Sequence, residues 1–220
     1  GIGMVELASV FEKVKPDIVF TVGDRYETIS TAIAASYMNI AVAHTMGGEV
    51  SGTIDESIRH AVTKLSHIHF VSNKDAYQRV LRLGEDKKFV FNVGCPRIDE
   101  VKKILKLNNL KKSFKELNNE GVGIKINSNE KFIILSHHPV TTELNKNEYY
   151  MKKILNVLSR FNLKKIILWP NSDAGSEMIS KVVRTYREKN LLKDARFIKN
   201  LSIETYVNLL NNCSCLVGNS

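Results

Sequence analysis

Short apolar runs alternate with segments of helical periodicity along most of this chain. Residues 18–22 and 132–135 are almost continuous apolar runs, which is typical of parallel strands that are covered on both faces of a sheet. The segments 27–38 and 54–65 instead place apolar residues three and four positions apart, which predicts amphipathic helices. Such alternation of strands and helices predicts an α/β fold built from βα units.

The same patterns predict the order of the elements. Ser72 with Asp75, and Ser202 further along, are predicted to begin helices because their side chains can accept hydrogen bonds from free backbone N–H groups. Residues 108–130 are rich in Asn, Lys and Gly and have the composition of a domain connection. The sequence therefore predicts two doubly wound Rossmann-like domains, 1–118 and 119–220. The predicted elements are helix 4–15, strand 18–22, helix 27–38, strand 40–43, helix 54–65, strand 68–71, helix 76–83, strand 89–93, helix 98–107, strand 132–135, helix 148–161, strand 165–169, a helix to 190, strand 196–198, helix 203–211 and strand 215–217.

Ionisable residues and glycines are concentrated in the loop after residues 40–43. Gly47, Gly48 and Gly52 allow a ligand to approach the backbone closely. Loops after the carboxyl ends of strands are where α/β sheets bind their ligands, so the stretch predicts a binding or catalytic site. A glycine turn followed by a capped surface helix is the alternative. The ionisable residues of the stretch are Glu49, Asp55, Glu56, Arg59 and His60.

Composition excludes several classes of function. The net charge of +9 is explained by an anionic partner or by a lysine-rich solvated surface, and the sequence has no nucleic-acid-binding motif. No apolar run approaches the ~20 residues of a membrane span. The three cysteines have no zinc-binding spacing, and a sparse odd count favours the cytoplasm. The sequence therefore predicts a cytoplasmic protein without a metal, a nucleic-acid partner or a membrane partner.

Six motifs follow one another along the chain. They are Gly23-Asp24-Arg25, the run 44–60, Gly94-Cys95-Pro96, His138-Pro139-Val140-Thr141-Thr142, Pro170-Asn171-x-Asp173-Ala174-Gly175-Ser176 and Gly218-Asn219-Ser220. Together they closely resemble the hydrolysing UDP-N-acetylglucosamine 2-epimerases of sialic-acid biosynthesis, and the resemblance runs from end to end with little gapping. It implies a glycosyltransferase-B architecture, with two Rossmann-like domains and a cleft between them, and an expectation that this chain is a fragment lacking both ends of the family's length.

The resemblance also implies a reaction. UDP-N-acetylglucosamine would lose its C2 proton and UDP by elimination, and water would add to the glycal to give N-acetylmannosamine. It further implies a UDP-sugar substrate, no cofactor and a homo-oligomer, dimer or tetramer, for the full-length protein. The residues carried over as catalytic are Asp24, Glu49, Asp55 and His138, and those carried over as nucleotide- or substrate-binding are Arg25, Arg59, Asn171 and Ser220.

Some of these assignments have alternatives. Asp24 and Asp55 could each be a helix cap, Arg59 could orient Asp55 from one turn along their helix, and His138 could only shape its loop. Met46 departs from the glutamate or glutamine that family members often carry, so the substrate could instead be a nucleotide-linked 2,4-diacetamido-6-deoxy sugar. A glycosyltransferase of similar architecture and a nucleotide-sugar-binding protein without chemistry are the competing functions.

Overall fold

The structure is a computed structural model that describes residues 1–52 and 54–219, except for the side chains of Tyr26, Thr141 and Thr142. The chain divides into two compact units, Gly1–Asp99 and Glu100–Ser220. Among the described helices, none is both long enough and apolar enough to cross a membrane.

The first unit is built around a four-stranded sheet in the order β1-β2-β3-β4, and all of its neighbouring strands are parallel. Val19, Val42 and Val62 lie in its core beside the small residues Ala32 and Ala35, which allow α2 to approach closely. The elements of the unit are α1 (Ile2–Val14), β1 (Ile18–Val22), α2 (Tyr26–Tyr37), β2 (Ala41–Thr45), α3 (Ile54–Leu65), β3 (Ile68–Val71), α4 (Lys74–Arg82) and β4 (Val90–Asn92).

One face of this first sheet is apolar and exposed within the described residues. The rings of Phe20, Phe70 and Phe91 stack across it with centroids 5.5 and 5.7 Å apart, and Phe20 is 57% exposed. The expectation that residues 18–22 are covered on both faces is therefore met on one face only. The reason is topological, because strands added consecutively through right-handed crossovers place their connecting helices on the same face.

The second unit contains a five-stranded sheet in the order β5-β8-β7-β6-β9, in which only the β5–β8 pair is antiparallel among the described strands. Every residue of β6 is buried. Leu135 packs in a cluster with α7 and α8, whereas Ile134 packs in a cluster with α6 and α9, so helices cover both faces. The elements are α5 (Pro96–Leu107), which begins just before the division, α6 (Leu110–Asn119), β5 (Val122–Gly123), β6 (Phe132–Ser136), α7 (Asn147–Leu158), β7 (Lys164–Leu168), α8 (Ser176–Glu188), β8 (Ala195–Ile198), α9 (Ile203–Asn212) and β9 (Cys215–Gly218).

The segment 108–130, expected to be a domain connection, is an ordered part of the second unit. Phe114 and Leu117 of α6 are buried against Leu209 of α9. The division between the units accordingly falls at 99/100, earlier in the chain than the expected boundary at 118/119. A composition rich in Asn and Lys concealed the helix because only a few of its residues, on one face, enter the core.

Of the two helix starts that the sequence predicted from capping residues, the structure confirms one and differs at the other. The hydroxyl oxygen of Ser202 accepts the N–H of Thr205 at 3.2 Å, which confirms that Ser202 is the N-cap of α9. The predicted pairing of Ser72 with Asp75 is wrong. Asn73 is the N-cap of α4, and its side-chain oxygen accepts the N–H of Ala76 at 2.8 Å.

Candidate active site

Loops at the carboxyl ends of neighbouring strands bring the polar residues of the first unit to one edge of its sheet. Asp24 follows β1, Glu49 follows β2 and Ser72 follows β3. Because β1, β2 and β3 are parallel neighbours, these loops emerge side by side, at the edge where α/β sheets bind ligands.

An ion pair between Asp24 and Arg59 joins the first of these loops to α3. One Nη2–H group of Arg59 donates to Oδ2 of Asp24, and the two side chains are only 10% and 20% exposed, Arg59 and Asp24 respectively. This ion pair joins Arg59 to Asp24. That Arg59 could also orient Asp55 stays a prediction.

The rest of the Arg59 guanidinium is buried without a partner. Among the described residues, neither Nε nor Nη1 has a hydrogen-bond acceptor. A buried donor left unsatisfied costs about 1–3 kcal/mol, so such donors beside a carboxylate indicate a place where a ligand oxygen binds.

Glu49 is held on the adjacent loop by a hydroxyl group. The Oγ–H of Ser72 donates to Oε1 of Glu49. The peptide before Glu49 is fixed as well, because a guanidinium N–H of Arg79 donates to the carbonyl oxygen of Gly48. Gly48 has a φ of +79°, and a Cβ there would lie 2.4 Å from the carbonyl oxygen of Ala76. Only glycine fits this contact, which presses the loop against α4 and sets the direction from which Glu49 leaves it.

The start of α3 carries two carboxylates with different positions. Asp55 lies in the first turn of the helix. Glu56 turns back to the loop, where it accepts the N–H groups of Ser51 at 2.9 Å and Gly52 at 2.7 Å. These backbone hydrogen bonds, that of Gly52 first, lower the pKa of Glu56. Glu56 therefore closes the glycine-containing loop.

Arg25 stands at the start of α2 as its N-cap residue. Its Nε lies 3.5 Å from a carboxylate oxygen of Glu27, and both side chains are more than half exposed.

His138 and Asn171 form the polar centre of the second unit. His138 follows β6, and its Nδ1 accepts the backbone N–H of Asn171 at 3.0 Å. A neutral imidazole that accepts at Nδ1 carries its proton at Nε2, so Nε2–H is the donor that His138 offers to a ligand. The side chain of Asn219 fixes the backbone of His138 from β9, accepting its N–H at 2.8 Å and donating to its carbonyl oxygen at 2.9 Å.

A cavity of about 480 Å³ adjoins this centre. His137 is buried, and burial lowers its pKa, whereas His138 is half-buried at the cavity wall. Ser220, the remaining predicted binding residue, lies outside the described residues. The lining side chains include Ser136, His138, Trp169, Asn171, Lys199 and Tyr206.

The structure thus forms two polar groups, one in each unit. Asp24 and Arg59 are in direct contact in the first unit, and His138 and Asn171 are in direct contact in the second. No group of three or more His, Cys, Asp or Glu side chains in the described part of the chain has the arrangement of a metal site.

The residues that hold these groups in place were not predicted from the sequence. Ser72 was interpreted as a helix cap but contacts Glu49. Asn219 was noted only as part of a motif, yet it makes both backbone contacts to His138. No local sequence pattern predicts such contacts, because Ser72 and Glu49 are 23 residues apart and Asn219 and His138 are 81 residues apart.

All 220 residues match the family model described as UDP-N-acetylglucosamine 2-epimerase. The chain belongs to the UDP-N-acetylglucosamine 2-epimerase family. This family member is 36% identical over 217 residues to the UDP-N,N'-diacetylbacillosamine 2-epimerase (hydrolyzing) of Legionella pneumophila, a match that covers 99% of this chain and 55% of that protein. It is 33% identical to the GDP/UDP-N,N'-diacetylbacillosamine 2-epimerase (hydrolyzing) of Campylobacter jejuni, over 97% of this chain and 54% of that protein. It is 32% identical to the UDP-N-acetylglucosamine 2-epimerase of Neisseria meningitidis, over 97% of this chain and 53% of that protein.

This epimerase-family chain spans about half the length of these curated relatives. Its fold is similar to a crystal structure of the UDP-GlcNAc 2-epimerase from Neisseria meningitidis bound to UDP-GlcNAc, with a TM-score of 0.79 at 20% identity over 99% of this chain and 58% of that one. The structure of a UDP-N-acetylglucosamine 2-epimerase from Rickettsia bellii gives a TM-score of 0.75 at 18% identity, over 100% of this chain and 56% of that one. These similarities confirm the predicted α/β fold with parallel sheets.

Proposed function

We propose that this chain belongs to a hydrolysing 2-epimerase that acts on a UDP-linked 2-acetamido sugar and releases UDP. The observation that carries the proposal is the buried Arg59, which pairs with Asp24 and has two further nitrogen atoms, Nε and Nη1, without a partner among the described residues. Such an arrangement orients a carboxylate and offers donors to a ligand oxygen at the same point. Membership of the epimerase family supports the choice of reaction.

The reaction divides into an elimination and a hydration. A carboxylate removes the proton at C2 while the C1–O bond breaks and its electron pair leaves with UDP, which forms a C1=C2 double bond. Water then adds its hydroxyl to C1, and a proton returns to C2 from the opposite face. Because no carbonyl adjoins C2, its proton is weakly acidic, and departure of UDP must assist its removal.

We assign the removal of the C2 proton to Asp24, whose oxygen is oriented by Arg59. Glu49 and Asp55, on the neighbouring loop and at the start of α3, are the proposed groups for activation of water and return of a proton. Several carboxylates at one site suit separate acid and base roles, because like charges resist simultaneous ionisation.

The second unit has the groups that the leaving nucleotide needs. Nε2–H of His138 and the side chain of Asn171 lie at a cavity of about 480 Å³ with an indole and a phenol in its wall. Donors directed at the phosphate stabilise the negative charge that develops on the departing oxygen. We therefore assign His138 and Asn171, with Ser220, to binding of the nucleotide and its diphosphate.

We further propose that the sugar is a 2,4-diacetamido-6-deoxy sugar. Such a sugar carries an acetamido group at C4 where glucosamine derivatives carry a hydroxyl group, and its C6 is a methyl group where theirs is a hydroxymethyl group. It therefore presents more apolar surface. Met46 is half-buried in the loop after β2, with its N–H bonded to the carbonyl oxygen of Phe70 at 2.9 Å and a φ of +61°. A thioether contacts apolar groups well and binds a hydroxyl weakly. The two diacetylbacillosamine 2-epimerases among the relatives support this choice.

UDP-N-acetylglucosamine, the substrate that the sequence analysis implied, remains the second candidate because of the Neisseria meningitidis relative. The two are separated by giving the full-length protein each UDP-sugar without any acceptor and comparing kcat/KM from UDP release. We expect the diacetamido sugar to be preferred by about tenfold or more. Met46→Gln should reduce that preference, whereas Met38→Gln, outside the loop, should not. Preference for UDP-N-acetylglucosamine would refute the substrate assignment, and strict dependence on an acceptor would indicate a glycosyltransferase.

A further inference from the structure

We propose that His44 is a positioning residue for the reaction, which holds the Gly23–Asp24 peptide and so sets the direction of the Asp24 carboxylate. The proposal rests on the function proposed above. His44 lies at the carboxyl-terminal part of β2 and is completely buried.

The ring of His44 contacts both structures that carry the Asp24–Arg59 pair. Its Nε2 lies 2.8 Å from the carbonyl oxygen of Gly23, directly before Asp24. Its Nδ1 lies 3.3 Å from Oγ1 of Thr63, which is one turn beyond Arg59 on α3. His44 thus connects the loop that carries the carboxylate to the helix that carries its guanidinium partner.

These contacts fix the tautomer of the ring. A carbonyl oxygen can only accept, so Nε2 carries the proton and donates it to Gly23. Nδ1 is then an acceptor, and it faces the hydroxyl group of Thr63. The single proton of that hydroxyl group has two acceptors within reach, Nδ1 of His44 and the carbonyl oxygen of Arg59 at 3.0 Å.

The hydrogen bond to Gly23 orients the peptide that enters Asp24. In a trans peptide the C=O and the following N–H point in opposite directions. With the carbonyl group of Gly23 directed inward to His44, the N–H of Asp24 is directed away from it. The orientation of this peptide determines where the Asp24 side chain starts, and a misplacement of about 1 Å in a reacting group can lower turnover about a hundredfold.

Close packing keeps the ring in this place. A Cβ added to Gly47 would lie 2.9 Å from Oγ1 of Thr63 and 3.0 Å from Nδ1 of His44. Gly47 therefore covers the His44–Thr63 contact at a distance that a larger residue does not permit. This packing against the Nδ1 edge supports the ring with its Nε2–H directed at Gly23.

Steady-state kinetics of the full-length protein test the proposal with three variants. His44→Gln keeps an N–H donor near the position of Nε2, His44→Leu removes it, and His67→Leu is the control. His67 is an exposed histidine whose Nδ1 accepts the N–H of Val42 at 3.2 Å, at the other end of the same sheet.

We expect His44→Leu to lower kcat by about thirtyfold or more while KM stays within about threefold, as loss of transition-state positioning requires. His44→Gln should recover kcat to within about fivefold of wild type, and His67→Leu should stay within about twofold. All values are corrected for the folded fraction. Wild-type kcat in His44→Leu, or an equal loss in His44→Gln and His44→Leu, would overturn the proposal.

A second measurement separates failure of this proposal from failure of the proposed reaction. NMR of the full-length protein labelled with ¹⁵N-histidine should show His44 as the Nε2–H tautomer. In uniformly ¹⁵N-labelled protein, the amide resonance of Asp24 should shift more in His44→Leu than in His44→Gln. If wild type shows no turnover, the reaction is wrong, and the NMR result alone decides whether His44 orients the peptide. An Nδ1–H tautomer would overturn that orientation whatever the kinetics.

Discussion

Lowering the pH should destabilise the first unit through His44. Burial lowers the pKa of this ring from 6.5 to about 4, and the charges of His69 and Arg59 act in the same direction, against the hydrogen bond to Gly23, which raises it. The folded state therefore resists protonation that the unfolded chain accepts. Stability is fully present above the unfolded pKa of 6.5 and is lost as the pH falls towards about 4.

The size of the effect follows from the two pKa values. A difference of one pKa unit corresponds to about 1.4 kcal/mol. Between the ordinary value of 6.5 and about 4, protonation linked to His44 should therefore remove about 3 kcal/mol from the free energy of unfolding of the first unit. Part of that loss should already be present at about pH 5.5, since protonation of the unfolded chain begins near its own pKa.

The assay compares wild type with His44→Gln, which has no titrating group at this position. The chain has one tryptophan, Trp169 in the second unit, so tryptophan fluorescence does not report on the first unit. Hydrogen exchange of the amides in 18–45, measured in urea and corrected for the intrinsic rate at each pH, gives the free energy of unfolding there. Other histidines and the carboxylates titrate in both proteins and cancel in the difference. If the difference in free energy of unfolding between wild type and His44→Gln stays constant within about 0.5 kcal/mol from about pH 7.5 to 4.5, protonation of His44 does not control the stability of the first unit.

Three further predictions concern the other parts of the account. Arg196→Met should lower the free energy of unfolding of the second unit by about 3 kcal/mol, because this buried guanidinium donates to five carbonyl oxygens in the segment 117–124. Urea unfolding followed by Trp169 fluorescence measures this loss, with the exposed Arg160→Met as control and a loss below about 1 kcal/mol as the contrary result. Glu49→Gln should lower turnover about a hundredfold or more while UDP affinity stays within about threefold, and turnover within about twofold of wild type would make Glu49 structural. His138→Asn should lower UDP affinity, measured by calorimetry, by about tenfold or more because Nε2–H is lost; unchanged affinity would remove His138 from the nucleotide site.

The elements that the sequence predicted well are those whose burial follows a simple period. The run 132–135 lies inside β6, and 54–65 coincides with α3, because a buried strand and an amphipathic helix both leave direct hydrophobic signals. The open face of the first sheet was not predictable in this way. Phe20 is apolar whether or not anything covers it, and only the strand order shows which face the connecting helices occupy.

The residues of the candidate site likewise include some that a sequence motif predicts and others whose contacts depend on tertiary packing. The motifs predicted Asp24, Glu49 and His138 as site residues, and the structure places each of them in a loop after a strand, which is where α/β sheets bind ligands. They did not identify Arg59 as the partner of Asp24, because that ion pair joins residues 35 positions apart. The contacts of Ser72 and His44 depend on tertiary packing too, so they became visible only once neighbouring loops were placed side by side.

Turnover in heavy water tests directly whether the reaction proceeds by elimination followed by hydration. Elimination followed by hydration breaks the C2–H bond and takes the new C2 hydrogen from solvent, through a group such as Asp24, Glu49 or Asp55. When the full-length protein hydrolyses its UDP-sugar in D₂O, the released sugar should therefore carry deuterium at C2 with inverted configuration, seen by NMR as loss of the C2 proton signal, and Asp24→Asn should abolish its formation. A released sugar that keeps both its C2 proton and its original configuration would contradict the account, because UDP would then have left by simple hydrolysis.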